Sequence, residues 1–351
     1  MISRVKSEQQ ALVAARADFA RRRETAGERL FIGLYQDGGI GDTMREAAFA
    51  RAVRRRWPGA YICIICRDLG PDADGQPLVV NLLRGHDSMD AAVLLPHVPW
   101  QQAVRAFYDQ FDLFYEVGYC VRTYAWRDPD LQHAADLRLR PFARYMWDFP
   151  RTSRGIEQTG MTQWQLMAAT SGLDVREADL TITPGPMPPQ LARQKYVVLH
   201  NMAGGMALAK TAPLATFAGV AAELKRRSVR SVQVGAPNDP PIRGAQDCRG
   251  VPIRVSAAVL KHARLLIDVE GGVGYVARAV GTRRAVLFGP TPISLFRFRD
   301  DVILCRKRCP PCWHRRDRWA VSCPDQHPTC RNIPTNPAQI AQAVEPYLKG
   351  L

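Results

Sequence analysis

Three short runs in this sequence put charged or polar side chains next to glycines, where a backbone can meet an anion. The first is Gly38-Gly39-Ile40-Gly41-Asp42-Thr43. Glycines allow a sharp turn from strand into helix. Gly39 and Gly41 therefore bring the backbone close to whatever lies at the strand end. Asp42 falls at the helix start, where the macrodipole favours a negative charge. A carboxylate there can take a proton from a hydroxyl as a general base, or it can simply cap the helix. The second run is His200-Asn201-Met202-Ala203-Gly204-Gly205, followed by Lys210. A polar, glycine-rich loop such as that of Asn201 presents N–H groups to an anion, and Lys210 supplies a point charge suited to phosphate. The third is Asp268-Val269-Glu270-Gly271-Gly272-Val273-Gly274-Tyr275. Free N–H groups at a helix start bind anions, and Gly271 and Gly272 admit close approach. Glu270 can hold a ribose hydroxyl pair or cap the helix. A tight packing turn would need the same glycines. Gly289-Pro290-Thr291-Pro292 follows the next strand and offers Thr291 as a further wall of that pocket.

A fourth cluster has different chemistry. Cys309, Cys312, Cys323 and Cys330 follow the spacing C-x2-C-x10-C-x6-C. Four thiolates so spaced suit a tetrahedral metal site. Both zinc and iron accept four sulfurs, and a closed set of ligands points to a structural role. Reduced, unpaired thiols are the alternative, as is Cys305 competing as a ligand. Cys63 and Cys66 lie in an apolar run and read as core.

The elements that must position these residues alternate between strand and helix. Residues 1–28 form an N-terminal helix with an apolar stripe at Val5, Leu12, Ala15 and Phe19, suited to packing or to a contact between copies of the chain. Strands are expected at 30–34, 60–66, 91–95 and 111–117, with a helix over 43–57 ended by Pro58-Gly59. The Pro-rich stretch 183–194 reads as a linker between domains 29–182 and 195–334, the second including a cysteine finger at 305–330. The second domain repeats the alternation, with strands at 196–200, 229–234, 265–269 and 285–288, and residues 335–351 close the chain with a helix. This pattern predicts an α/β protein of two Rossmann-like, doubly wound domains facing a cleft, with ligands at the carboxyl ends of the strands.

Composition narrows the partners. The 351 residues carry a net charge of +15 and are 46% hydrophobic, which is globular. No apolar run reaches the ~18–20 residues of a membrane span, and no secretory leader is apparent, so a cytoplasmic location is expected. The basic balance favours anionic partners such as nucleotide diphosphates, and it is compatible with peripheral contact at an anionic membrane surface. No nucleic-acid motif is present. A metal-finger nucleic-acid binder centred on Lys307–Arg318 is the competing reading of the basic runs. Nine cysteines, an odd number, argue against a disulfide scaffold.

Taken together, these residues resemble glycosyltransferase family 9, the ADP-heptose heptosyltransferases. The resemblance is carried by Gly38–Thr43, by Arg55-Arg56-Trp57-Pro58-Gly59-Ala60, by Phe111–Glu116, by Tyr196–His200 with Lys210, and by Val232–Pro237. Its most specific stretch runs from Ala277-Arg278-Ala279-Val280-Gly281-Thr282 into Ala285–Thr291. It spans about residues 29–345. The resemblance implies the GT-B fold, with the donor bound mainly by the second domain and the acceptor by the first. It implies inverting transfer of a sugar, with ADP-heptose as donor and a hydroxyl of a surface glycan or protein as acceptor. By the same resemblance Asp42 is the catalytic base, Lys210 a donor-phosphate ligand, and Glu270-Gly271-Gly272 the nucleotide loop. Tyr275 stands near the donor where the family often has His, and Glu270 where it often has Asp. The four-cysteine segment resembles the iron-binding finger of bacterial autotransporter heptosyltransferases, which assemble into rings, so iron or zinc and a homo-oligomer are implied. Use of another nucleotide-sugar, or a non-catalytic scaffold that binds one, are the alternative functions.

Overall fold

The computed structural model describes residues 2–96, 98–146, 149–204, 208–314, 319–323, 325–327 and 329–349. The chain divides into two compact units. The first comprises 1–70, 77–147 and 161–180, and the second 71–76, 148–160 and 181–351.

The first unit opens with helix α1 (Ile2–Ala26), then β1 (Phe31–Gln36), α2 (Ile40–Arg56), β2 (Tyr61–Arg67), α3 (Leu78–Leu83), β3 (Ala91–Leu95), α4 (Trp100–Phe107), β4 (Leu113–Glu116), β5 (Arg122–Tyr124) and α5 (Pro129–Met146). Helix α6 (Phe149–Thr159) belongs to the second unit, and α7 (Gln163–Ser171) returns to the first. The sheet order is β3-β2-β1-β4-β5. β1 pairs parallel with β2 and with β4, β2 parallel with β3, and the short β5 antiparallel with β4. Strands covered on both faces read as unbroken apolar runs, and Ile62, Cys63, Ile64 and Ile65 in β2 are fully buried. Cys63 and Cys66 are core, and burial pushes the Cys63 thiol up to about 12. Phe19 of α1 packs edge-on against Phe107 and Phe111, both at 5.1 Å, so Leu12, Ala15 and Phe19 of the stripe are covered by their own unit, while the Val5 side chain lies outside the described residues.

The second unit contains β6 (Tyr196–His200), α8 (Leu214–Arg226), β7 (Arg230–Gln233), β8 (Gln246–Asp247), α9 (Ile253–His262), β9 (Leu265–Val269), α10 (Gly272–Ala279), β10 (Arg284–Leu287), α11 (Ile293–Phe296), β11 (Val302–Leu304) and α12 (Pro337–Val344). Its sheet is parallel throughout, in the order β11-β10-β9-β6-β7-β8. The expected strands and helices are present in both units, with ends shifted by a few residues. The Pro-rich segment behaves differently from a free linker. The Gly185 amide donates to the Arg254 carbonyl at 2.6 Å and Leu191 is fully buried, so residues 183–194 are packed into the second unit.

Each sheet reverses its winding once. In the first the reversal lies between β1 and β4, and in the second between β6 and β9. The crevice at the carboxyl ends of such a pair is where open α/β sheets bind ligands. The glycine runs that follow β1, β6 and β9 all begin there.

Candidate functional site

At the end of β1 the chain turns through Gly38 and Gly39 into α2. The Asp42 carboxylate accepts from the Gly39 amide at 3.0 Å and pairs with the Arg45 guanidinium at 2.9 Å. A Cβ on Gly38 would run into the Asp42 carboxylate, so Gly38 is required by packing. Gly39 is not: a Cβ there would meet nothing within 4 Å. Gly41 lies in the first turn of α2. Asp42 therefore does cap its helix, while remaining about a third exposed. Two residues without a sequence signal join it. Arg45 is buried and lies over the Tyr119 ring at 4.3 Å. Glu46, one turn below Asp42, is wholly buried. Burial pushes its carboxyl well above the usual range and the Asp42 charge adds to this, while Arg45 and the Ile65 amide oppose it. Their only sequence trace was an Arg-Glu pair in an otherwise apolar helix face.

The second unit gathers a larger set. Lys210 Nζ lies 2.5 Å from a Glu270 carboxylate oxygen, both side chains being largely buried. The two residues are 60 apart in sequence, and the fold joins the loop after β6 to the loop after β9. Lys210 also faces the rings of Phe296 at 5.5 Å and Trp319 at 5.9 Å. Behind it, His200 Nδ1 and an Asp268 oxygen are 2.7 Å apart across β6 and β9. Burial would lower the His200 pKa, but Asp268 and Asp239 outweigh it and hold it above its ordinary value. Burial raises the Asp268 carboxyl against the pull of His200 and Arg284.

The glycines of the third run have different duties. Gly271 has φ of −177°, extended backbone that any residue adopts, and a Cβ there would meet only the Val269 carbonyl at 4.0 Å. Among the described residues nothing requires glycine at 271. Gly272 is the first residue of α10, and its neighbour Gly274 is required: a Cβ on Gly274 would strike the Arg284 guanidinium. Tyr275 is buried, with its ring edge-on to Phe298 at 5.2 Å, which makes it part of the packing beneath the helix start.

Asn201 closes its own loop. Its amide nitrogen donates to the Ala212 carbonyl at 3.2 Å, and the Ala212 amide donates to the Asn201 carbonyl at 3.1 Å. Asn201 Oδ1, Asp268 Oδ2 and Thr291 Oγ1 are buried and have no hydrogen-bond partner among the described residues. They belong to, or closely follow, three adjacent strands, β6, β9 and β10. Buried polar atoms are normally satisfied, so these three, toward the carboxyl ends of adjacent strands, are candidates to pair with a polar ligand. Gly205, from the second glycine run, and Arg315 to Arg318, from the basic stretch, lie outside the described residues.

Among the described residues no group of three or more Cys, His, Asp or Glu side chains is arranged to hold a metal ion. Cys309, Cys312, Cys323 and Cys330 all follow β11 in the chain. Burial pushes Cys330 up to about 11, and the Cys312, Cys309 and Cys323 sulfurs push in the same direction. Four sulfurs carrying negative charge repel one another, and a cation is what draws such a set to bonding distance. The segment is nevertheless docked firmly. The Trp313 amide donates to the Pro290 carbonyl at 3.0 Å, and the Ala209 amide donates to the Ala320 carbonyl at 2.8 Å. Asn332 accepts from the Cys309 amide at 3.1 Å and donates to the Cys309 carbonyl at 2.9 Å. Lys307, His314 and Gln326 all adopt left-handed backbone here, which ordinary side chains avoid. That Trp319, from between these cysteines, stands beside Lys210 carried no sequence signal.

The architecture thus defines a class: two Rossmann-like α/β units, each with its glycine-led loops at the winding reversal of its sheet. No protein-family model matches the sequence, and no curated protein does. Solved structures that share this fold include heptosyltransferases and a family 9 glycosyl transferase. The iron-containing dodecameric glycosyltransferase TibC from enterotoxigenic Escherichia coli is 16% identical with a TM-score of 0.61, over 91% of this chain and 76% of that one. TibC has also been solved with ADP-D-beta-D-heptose, at 15% identity and a TM-score of 0.59. A family 9 glycosyl transferase from Veillonella parvula is 13% identical, with a TM-score of 0.56, 91% of this chain and 97% of that one covered. ADP-heptose lipopolysaccharide heptosyltransferase II of E. coli is 12% identical, with a TM-score of 0.55 and coverage of 91% and 98%. At these identities the likeness is one of fold. No described helix is long and apolar enough to cross a membrane.

Proposed function

We propose that this chain is an inverting glycosyltransferase that binds a nucleoside-diphosphate sugar, ADP-heptose, in its second unit and transfers the sugar to a hydroxyl of a surface glycan or protein. One observation carries the reading: Gly271 is a glycine that neither backbone angle nor packing requires, at the start of α10 beside the Lys210–Glu270 pair. Space left open at a helix N-terminus beside a lysine suits a diphosphate. The orphaned polar atoms of Asn201, Asp268 and Thr291 add partners for hydroxyl groups. The resemblance to heptosyltransferases in sequence, and the likeness of fold to TibC in complex with ADP-D-beta-D-heptose and to ADP-heptose lipopolysaccharide heptosyltransferase II, favour that donor over others.

In this reading Asp42 takes the proton of the acceptor hydroxyl as its oxygen attacks the anomeric carbon. The bond from that carbon to the diphosphate breaks, and the charge that develops on the leaving group is met by Lys210 and by the N–H groups of Gly271 and Gly272. Arg45 holds the Asp42 carboxylate in place and Glu270 neutralises Lys210 while the donor is absent. Asp42→Asn keeps the shape and the Gly39 contact but removes the base. Transfer should fall by about a hundredfold or more with ADP affinity unchanged. Full transfer by a folded Asp42→Asn variant would refute the assignment. A second reading has its own support: the Asp42 carboxylate is already engaged by Gly39 and Arg45. A nucleotide-sugar-binding scaffold predicts ADP binding with no transfer by the unaltered chain to any hydroxyl acceptor.

The four cysteines Cys309, Cys312, Cys323 and Cys330 belong to the proposal as ligands of a structural iron or zinc ion. Their donor chemistry and spacing fit four-sulfur coordination, and the fold neighbour TibC is iron-containing. The ion's part would be to hold the segment's shape. Elemental analysis of purified protein should find about one iron or zinc per chain, and its absence together with freely reactive thiols would refute this. Action in the cytoplasm and assembly into a homo-oligomer are part of the same reading, the latter favoured by the dodecameric neighbour and checked by sedimentation.

A further inference from the structure

We infer that the cysteine-bearing segment completes the donor site, with Trp319 as a positioning residue for Lys210. The inference rests on the reading of Lys210 as a ligand of the donor diphosphate. A lysine ammonium rides on a flexible four-carbon stem and is hard to hold at one point. Here three elements hold it. Glu270 comes from the β9–α10 turn at 2.5 Å, Phe296 from α11 at 5.5 Å, and Trp319 from between Cys312 and Cys323 at 5.9 Å. Backbone bonds fix the place of the last. The Ala320 carbonyl, next to Trp319, accepts from the amide of Ala209, next to Lys210, at 2.8 Å. The His314 ring lies 4.9 Å from the Trp313 ring and 4.9 Å from the Trp319 ring. Trp313 is buried edge-on to Phe296 at 5.4 Å, and its amide is held by Pro290. Segment, α11 and the Lys210 turn therefore form one connected wall.

The two kinds of hold on Lys210 respond differently to a donor. A diphosphate competes with the Glu270 carboxylate for the ammonium. The ring faces of Phe296 and Trp319 attract a cation through their quadrupoles and do not compete with an anion. They keep the ammonium in place as its counter-charge is exchanged. Removing the Trp319 ring should therefore weaken recognition of the diphosphate and leave recognition of the nucleoside untouched.

The test is calorimetric titration of ADP, and separately of adenosine, into the full chain and into Trp319→Ala, Trp319→Phe, Phe296→Leu and Lys210→Ala. Trp319→Ala should bind ADP about three- to tenfold more weakly, the range of a cation–π contact at a partly buried site, with adenosine binding unchanged. Trp319→Phe should restore most of the loss. Phe296→Leu removes the other ring from a separate element and should show the same ADP-selective loss, which keeps the inference open to refutation if Trp319→Ala fails to fold. Unchanged ADP affinity in Trp319→Ala, when Lys210→Ala is weakened, would overturn the positioning role alone. Equal losses for ADP and adenosine would overturn it too, since Trp319 would then be stacking on the base or holding the fold. Unchanged ADP affinity in Lys210→Ala would overturn the donor reading and this inference with it.

Discussion

Gly271 and Gly274 sit three residues apart in one motif, and the structure gives them opposite reasons to be glycine. At 271 an alanine methyl enters open space with only the Val269 carbonyl at 4.0 Å, on backbone that any residue adopts. Gly271→Ala should change stability little: the ~0.4–1 kcal/mol gained from fewer unfolded conformations is offset by alanine's being a poorer N-cap than glycine at the start of α10. At 274 the methyl strikes the guanidinium of Arg284. A surface arginine would swing away, but this one is pinned. It is 2% exposed, bonded to Asp301 at 2.9 and 2.5 Å, and stacked over Phe298 at 4.1 Å. Overpacking of this kind costs about 1–3 kcal/mol, and breaking the buried pair would bring the cost toward ~3–5 kcal/mol. The helix-propensity gain of alanine over glycine, about 1 kcal/mol, offsets only part of this. Urea unfolding measures stability, and ADP titration measures binding. The expected pattern is Gly271→Ala stable but at least about tenfold weaker for ADP, because the methyl occupies the phosphate's approach. Gly274→Ala should be destabilised. If Gly271→Ala is destabilised as much as Gly274→Ala, or binds ADP as tightly as the unaltered chain, the assignment of the open space to a diphosphate is wrong.

Further outcomes follow from single contacts. Asp301→Asn leaves Arg284 charged and buried, and should destabilise the second unit by about 3–5 kcal/mol in urea unfolding. Replacing Arg284 and Asp301 together by Met and Leu should recover much of that. His86 gives a pH dependence in the first unit. Burial, helped by the Arg51 charge and opposed by Asp87 and Asp179, lowers its pKa from 6.5 to about 4. Between those values the unfolded chain binds a proton that the folded one refuses, so stability falls as pH drops through that window. His86→Asn should flatten this slope. An unchanged slope would show that His86 is not its source.

The local pieces were legible because they obey local rules. Continuous apolar runs such as Tyr61–Cys66 can only be buried strands, and Pro58-Gly59 must end a helix. Gly38 to Thr43 and Glu270 to Gly274 announced strand-to-helix turns. Lys210 was legible in sequence as a charge suited to phosphate and, by resemblance, as a donor ligand, but nothing in the sequence pointed to its partner. What gives it meaning is Glu270, 60 residues later, and no spacing rule links the two. Arg45 and Glu46 were hidden because a charged pair in a helix normally faces solvent. Here the face is covered, and the Asp42–Arg45 contact is what makes the burial of Arg45 tolerable. The segment of residues 183–194 read as a linker because prolines break regular structure, whereas its packing depends on Arg254 and the burial of Leu191.

The sequence by itself determined the two α/β series, the glycine-led turns and the cysteine spacing, because each depends on backbone freedom and periodicity within a few residues. Tertiary structure decided where those turns stand relative to the winding reversal of each sheet, since strand order is set by crossovers between distant segments. It also separated the two glycines of one motif, leaving 271 open and filling 274 with Arg284. Finally, it brought part of the cysteine-bearing stretch beside the Lys210 turn, through the backbone bonds of Ala209 to Ala320 and of Trp313 to Pro290.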